Sequence, residues 1–305
     1  MAVRTPDADG VQARQIGSNC HASRRAQPLA AGYGGSQTTS GSSTLGSSNA
    51  TSRIGGLAVG ADYWMAPTTV AGFALAGGGT SFSVANAGSG QSDLFQTGAF
   101  IRHNVASAYI TAAAAYGWQD ITTDRTVTIA GTDRLRAEYN ASSYSARVEG
   151  GDRFVVPSFG GVGVTPYAAV QVTAFDLPAY AESANGGGGT FALNYAAKTV
   201  TDTRTELGLR SDNSFAVNDA MLTLRGRAAW VHDTNTDRSA SATFQSLPGA
   251  SFVVNGAAVA HDAALTTAAA EMTFRNGVSL AATFEGEFSD VTRSYAGKGV
   301  VRYQW

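Results

Sequence analysis

The feature that most restricts this chain is a period-two alternation sustained over segments of ten to fifteen residues, with ionisable groups confined to one face. In 143–149, Ser143, Ser145, Arg147 and Glu149 alternate with Tyr144, Ala146 and Val148. In 204–210, Arg204, Glu206 and Arg210 alternate with Leu207 and Leu209. In 278–288, Ser279, Thr283, Glu285 and Glu287 alternate with Val278, Leu280, Phe284 and Phe288. Period two belongs to a strand, whose successive side chains point to opposite faces. A soluble sheet alternates too, but its strands usually run about five or six residues, whereas a tilted strand needs about 9 to 11 to cross a bilayer. Segments this long, greasy on one face and polar on the other, point to an all-β fold: a transmembrane antiparallel β-barrel with a polar lumen.

Composition agrees. Charged residues make up 14% of the chain, against about 25% in an ordinary soluble domain, and there are 36 glycines in 305 residues. No run of about 20 apolar residues is present to form a transmembrane helix. A net charge of -2 leaves no basic surplus to favour a nucleic-acid partner. Cys20 alone can form neither an intrachain disulfide nor a cysteine zinc cluster, and such scarcity suits a chain that crosses an oxidising space. Residues 1–28 are polar, without an amphipathic period or the continuous apolar stretch of a signal peptide, and read as a poorly ordered leader. Residues 29–305 read as one barrel domain.

About twelve strands are expected, near 30–36, 53–65, 68–83, 92–104, 107–122, 137–154, 161–176, 199–212, 219–235, 262–275, 277–290 and 293–305. Their connectors alternate between short ones, such as Ala66-Pro67 and Asn276-Gly277, and longer ones at 84–91, 123–136, 177–198, 236–261 and 289–293. Outer-membrane barrels pair short periplasmic turns with longer outer loops, so both ends of an even-stranded barrel lie on the short-turn side. The long connectors are rich in Gly, Ser, Asn and Thr, as in Gly186 to Gly189, and are expected to be flexible and exposed.

Parity assigns a balanced set of ions to the lumen: the acids Asp62, Glu149, Asp202, Glu206, Glu271, Glu285 and Glu287, and the bases Arg147, Arg204, Arg210, Arg225, Arg227, Lys298 and Arg302. Such a lattice offsets desolvation by pairing and requires no catalytic role. Aromatics near segment ends (Tyr63, Trp64, Tyr116, Trp118, Trp230, Tyr303 and Trp305) suit interfacial belts. The sequence lacks a Gly-x-Ser-x-Gly elbow, and the Gly186–Gly189 run has no Lys-Ser/Thr partner or following helix to make a phosphate loop. His21, His103, His232 and His261 are too scattered for a local metal motif, and His232 with Asp233 reads as a polar pair at the barrel rim. No catalytic, cofactor-binding or metal-ligating residue, no cofactor and no enzymatic activity are therefore expected.

Several short motifs carry a family resemblance. Trp230-Val231-His232-Asp233, Phe244-Gln245-Ser246-Leu247-Pro248-Gly249-Ala250-Ser251-Phe252, Gly286-Glu287-Phe288-Ser289-Asp290 and the end from Tyr295-Ala296-Gly297 to Trp305 resemble the C-terminal translocator domain of bacterial autotransporters. So do Val148-Glu149-Gly150-Gly151 and Glu206-Leu207-Gly208-Leu209-Arg210, and the resemblance runs in order over about residues 29–305. It implies a twelve-stranded barrel of the bacterial outer membrane, supporting export of a passenger to the cell surface by type V secretion. The passenger is expected upstream. Tyr295, Val301, Tyr303 and Trp305 share one face of the last segment, in a pattern that resembles the C-terminal signal read by the barrel-assembly machinery. The expected partners are thus outer-membrane lipid, that machinery and a passenger, with the barrel itself a monomer that binds no nucleic acid. The alternatives are an outer-membrane barrel enzyme, protease or lipase, and a stand-alone pore or adhesin.

Overall fold

A strand in hydrocarbon must hand every main-chain N–H and C=O to a neighbouring strand, because lipid supplies no partner. The computed structural model describes residues 26–157 and 161–304, and there the chain meets this demand with twelve long strands. They are β1 Ala26–Thr39, β2 Ala50–Ala66, β3 Thr69–Val84, β4 Gly88–Val105, β5 Ala108–Val127, β6 Asp133–Asp152, β7 Val162–Leu177, β8 Lys198–Val217, β9 Ala220–Asp233, β10 Asp262–Phe274, β11 Val278–Phe288 and β12 Thr292–Tyr303. Each pairs antiparallel with the next. β12 closes on β1, with Arg302 opposite Leu29 at one end of the seam and Thr292 opposite Thr39 at the other. The first strand begins three residues ahead of the boundary expected at residue 29. No described helix is long and apolar enough to cross a membrane; the strands make the crossing.

The outer connectors differ from expectation. β5 runs on to Val127 and β6 starts at Asp133, so the loop read at 123–136 shrinks to 128–132. The loops read at 84–91 and 289–293 likewise shrink to 85–87 and 289–291. Ser, Thr, Gly and Asp at these strand ends read as loop in sequence, yet they continue the ladder above the membrane, where both faces meet water.

Neighbours across the ladder share a face. Leu57, Phe73, Leu207, Leu209 and Phe284 point outward and are all more than half exposed, as lipid-facing side chains are when no lipid covers them. The inward face carries small and polar residues, and its tightest contacts set aromatic rings onto glycines. A Cβ added at Gly56 would stand 2.5 Å from the Gly77 carbonyl oxygen and 2.5 Å from the Tyr33 hydroxyl. At Gly208 it would meet the Tyr167 ring at 2.8 Å.

Since the carbonyl beside Gly56 cannot swing away, Gly56→Ala is expected to lower the stability of the refolded barrel by about 1–3 kcal/mol. Gly297→Ala, where a Cβ meets nothing within 4 Å, should change it by no more than about 0.5 kcal/mol. Denaturant midpoints in micelles measure both, and equal midpoints would mean that the Tyr33 wall yields freely.

Candidate functional site

The strands enclose a cavity of about 460 Å³. Tyr33, Gln37, Ser52 and Gln96 line it from β1, β2 and β4, while Arg204, Arg225, Arg227, Glu271, Glu285, Glu287, Lys298 and Arg302 line it from β8 to β12. The lumen is therefore electrically lopsided, with a small-residue wall facing a charged one.

The densest part of the charged wall runs from β5 to β11. Arg147 Nη2 donates to Glu149 Oε2 at 2.9 Å and to Glu206 Oε2 at 2.8 Å. Glu149 also accepts from Arg210 Nη2 at 2.8 Å and from the Tyr109 hydroxyl at 2.7 Å. Glu206, only 1% exposed, accepts from the Tyr167 hydroxyl and from Arg227 Nη1. Arg227 reaches on to Glu285, which Thr267 also bonds. Arg210 lies over the Tyr167 ring and Arg102 over the Tyr109 ring, at 4.0 and 3.9 Å from the centroids. Taking each ion out of water costs several kcal/mol, which only such dense pairing offsets.

Two smaller groups adjoin this one. Arg204 bonds Glu287 at 2.8 Å and Asp233 at 3.3 Å, and Arg225 bonds Glu271 at 2.7 Å. Asp202 points up to the outer loop and accepts the Asn235 amide at 2.8 Å. Lys298 lines the cavity, while Asp62 and Arg302 flank β1 near its start, where Gln27 stands opposite Asp62 and Leu29 opposite Arg302. Asp62 Oδ1 and Arg302 Nε are buried without hydrogen-bond partners. The structure thus joins Arg147, Glu149, Arg204, Glu206, Arg210, Arg227, Glu285 and Glu287 into two clusters, sets Arg225 with Glu271, and leaves Asp62, Asp202, Lys298 and Arg302 outside those clusters.

Sequence reasoning missed Arg102, Tyr109, Tyr167 and Asp233 as members of the lattice. Parity with inward Leu94 and Phe100 would have found Arg102, but nothing local marks a tyrosine as a lumen donor. Two readings need correction. His232 and Asp233 are not a pair: successive strand residues face opposite ways, so Asp233 turns inward to Arg204, while His232 turns outward and bonds Asp262 at 2.9 Å. Trp64 does not join Tyr63 in an outer belt. It is paired with buried Val70 on the inward face, just before a register shift between Trp64 and Ala66. Trp305, Cys20 and His21 lie outside the described residues.

The two longest outer loops also depart from expectation. They build a four-stranded sheet from Tyr180–Ala181, Leu193–Tyr195, Ser239–Phe244 and Ser251–Asn255. Tyr139, Tyr180 and Tyr195 stack, with centroids 3.9 and 4.6 Å apart, and Glu182 accepts Arg125 Nε at 2.9 Å and the Leu193 amide at 3.0 Å. The Gly186–Gly189 run is held as well, because Asp133 accepts the amides of Gly188, Gly189 and Phe191. Asn255 Nδ2 reaches the Leu45 carbonyl at 2.9 Å, so the β9–β10 loop meets the β1–β2 loop, and its Gly256, Ala257 and Val259 line the cavity.

A family model described as "Autotransporter beta-domain" matches residues 29–285. The chain belongs to the autotransporter β-domain family. Its barrel is accordingly a bacterial outer-membrane translocator fold. Solved structures agree on that fold: the translocator domain of the autotransporter NalP from Neisseria meningitidis has a TM-score of 0.73 at 18% identity, over 93% of this chain and 90% of that one. The β domain of the Bordetella autotransporter BrkA has a TM-score of 0.68 at 19% identity, over 92% of this chain and 100% of that one. Among curated proteins, an extracellular serine protease of Serratia marcescens is 26% identical over 199 residues, which is 65% of this chain and 18% of that protein. The chain spans less than a fifth of the length of that relative, so the protease activity in its name does not pass to the β-domain.

Glu206→Gln should cost the barrel about 3–5 kcal/mol, because it leaves Arg147 and Arg227 buried beside a neutral amide. Denaturation of refolded protein measures it, and a loss below about 1 kcal/mol would mean that water already satisfies both arginines.

Outside the membrane, the Lys198 ammonium and then the Ser239 hydroxyl and amide hold the Asp237 carboxyl down at about 2, against an ordinary 3.8. A lowered folded pKa contributes stability above the unfolded value that disappears as pH falls through the folded one. Pepsin nicking of the 234–261 loop should therefore rise between about pH 4 and pH 2, and Lys198→Met should abolish that step. A pH-independent rate in the native chain would discard the latch.

Proposed function

We propose that this β-domain carries an upstream passenger across the outer membrane as a monomer and does so without catalysis. The observation that carries the reading is the lumen itself: a cavity whose charged wall is neutralised by its own cross-strand pairs. An extended or helical segment can slide past the paired clusters of such a wall without meeting an uncompensated charge there that would hold it. The carboxylates of the main cluster each accept bonds from arginine, an arrangement for storing charge rather than passing protons. The opposite wall, largely Gly, Ser, Gln and Tyr, supplies width and hydrogen bonding with few fixed ions.

On this reading residues 29–305 act as one unit, and the lattice from Asp62 to Arg302 keeps the lumen open and wet. The last strand, with Tyr295, Val301 and Tyr303 outward, is the edge offered to the barrel-assembly machinery before β12 pairs with β1. The outward apolar band then meets outer-membrane lipid.

A reporter passenger with a signal peptide, fused ahead of residue 26 and expressed in a Gram-negative host, tests the proposal. The reporter should become accessible to added protease on intact cells, and deleting Trp305 should reduce inserted barrel more than it reduces the stability of barrel refolded in detergent. Correctly inserted barrel with the reporter retained in the periplasm would refute the translocator reading. Hydrolysis of ester or peptide substrates by the pure barrel would refute the non-catalytic one.

A further inference from the structure

On β2, Arg53 stands ten residues beyond Tyr63, and on β12, Arg293 stands ten residues beyond Tyr303. All four side chains are on the outward face. Ten residues are about 33 Å of strand, or about 25 Å of height at a tilt near 40°, which is the thickness of the apolar band of an outer-membrane barrel. With the tyrosines at the periplasmic interface, both arginines reach the outer headgroup level. They flank β1, where Ser36 is opposite Arg53 and Thr38 is opposite Arg293. Two strand spacings put them about 10 Å apart sideways, within reach of one tetrahedral anion between them.

Both guanidiniums are without a hydrogen-bond or ion-pair partner among the described residues, unlike the arginines of the lumen clusters. The acid on the adjoining β11–β12 turn, Asp290, forms no ion pair with Arg293. Other rim carboxylates lie elsewhere, with Asp93 opposite Asp120 on β4 and β5. Just below the arginines, Gly34 stands opposite Gly297 and Gly32 opposite Gly299, baring the backbone of the seam. Packing does not demand those glycines, since a Cβ at Gly297 or Gly299 would meet nothing within 4 Å.

We propose that the β12–β1–β2 rim binds the phosphate of a phosphorylated, acylated glycolipid of the outer leaflet. Arg53 and Arg293 grip the phosphate above Ser36 and Thr38, and an acyl chain lies on the bare seam below. Charge complementarity selects the occupant: two unpaired cations at headgroup height face a leaflet whose anions are phosphates. The proposal rests on the outer-membrane placement of the barrel but not on passenger export.

Native mass spectrometry of the refolded barrel tests it, with bis-phosphorylated lipid A, its dephosphorylated form and inorganic phosphate as probes. The native chain should retain the bis-phosphorylated lipid, and the double variant Arg53→Gln, Arg293→Gln should retain it about tenfold less or weaker still. The double variant Arg53→Lys, Arg293→Lys guards against a folding failure and should fall between the two. Asp93→Asn with Asp120→Asn should bind as the native chain does. Equal retention by the Gln double variant, or equal binding of dephosphorylated lipid, overturns the proposal; displacement by millimolar inorganic phosphate overturns its lipid source. Export of a reporter is not the readout, so failure here leaves the translocator reading standing.

Discussion

Everything in this molecule follows from the need to pair main-chain groups where lipid offers no hydrogen bond. The β1–β12 seam, running from Leu29 opposite Arg302 to Thr39 opposite Thr292, meets that need at the last open edge. Once the cylinder is closed, each strand has one face for hydrocarbon and one for the lumen. The parity of every ionisable residue in the membrane is then decided, because an arginine turned to the bilayer midplane costs about 2–4 kcal/mol.

Closure also explains why the lumen charges bond as they do. Curvature brings the inward side chains of second- and third-neighbour strands together, so Arg147 on β6 reaches Glu206 on β8, Arg227 on β9 reaches Glu285 on β11, and Arg204 on β8 reaches Glu287 on β11. Each bond passes over at least one intervening strand, tying the wall across its curve as well as along its ladder. On the other side, Tyr33 lies against Gly56 and Gly78. One half of the barrel is braced by ions and the other by ring-on-backbone contact, and the cavity lies between them.

Above the membrane the constraint relaxes and water returns as an alternative partner, yet the outer loops are organised. A stack of Tyr139, Tyr180 and Tyr195 and a charge-assisted Arg125–Glu182 bond hold the small outer sheet. The same change of solvent lets unpaired arginines appear on the outward face at Arg53 and Arg293, which would be prohibitive a few residues deeper. Solvent depth, more than local propensity, separates a lumen cation from a rim cation.

The strand count, the alternation of faces and the identity of most of the inward ions were legible in the sequence, because period two is local and every long segment repeats it. Residues such as Arg147, Glu149, Glu206 and Arg210 declare their face through their neighbours Val148, Leu207 and Leu209. Partners were not legible. That Glu206 takes Arg147, Arg227 and Tyr167, that His232 bonds Asp262 rather than Asp233, and that Trp64 turns inward before a register shift all depend on pairing between segments far apart in the chain. The outer sheet was hidden for the same reason. Its strands of two to six residues carry no periodic signal of their own, and only the tertiary structure, by bringing loops 178–197 and 234–261 together over the mouth, gave them something to pair with.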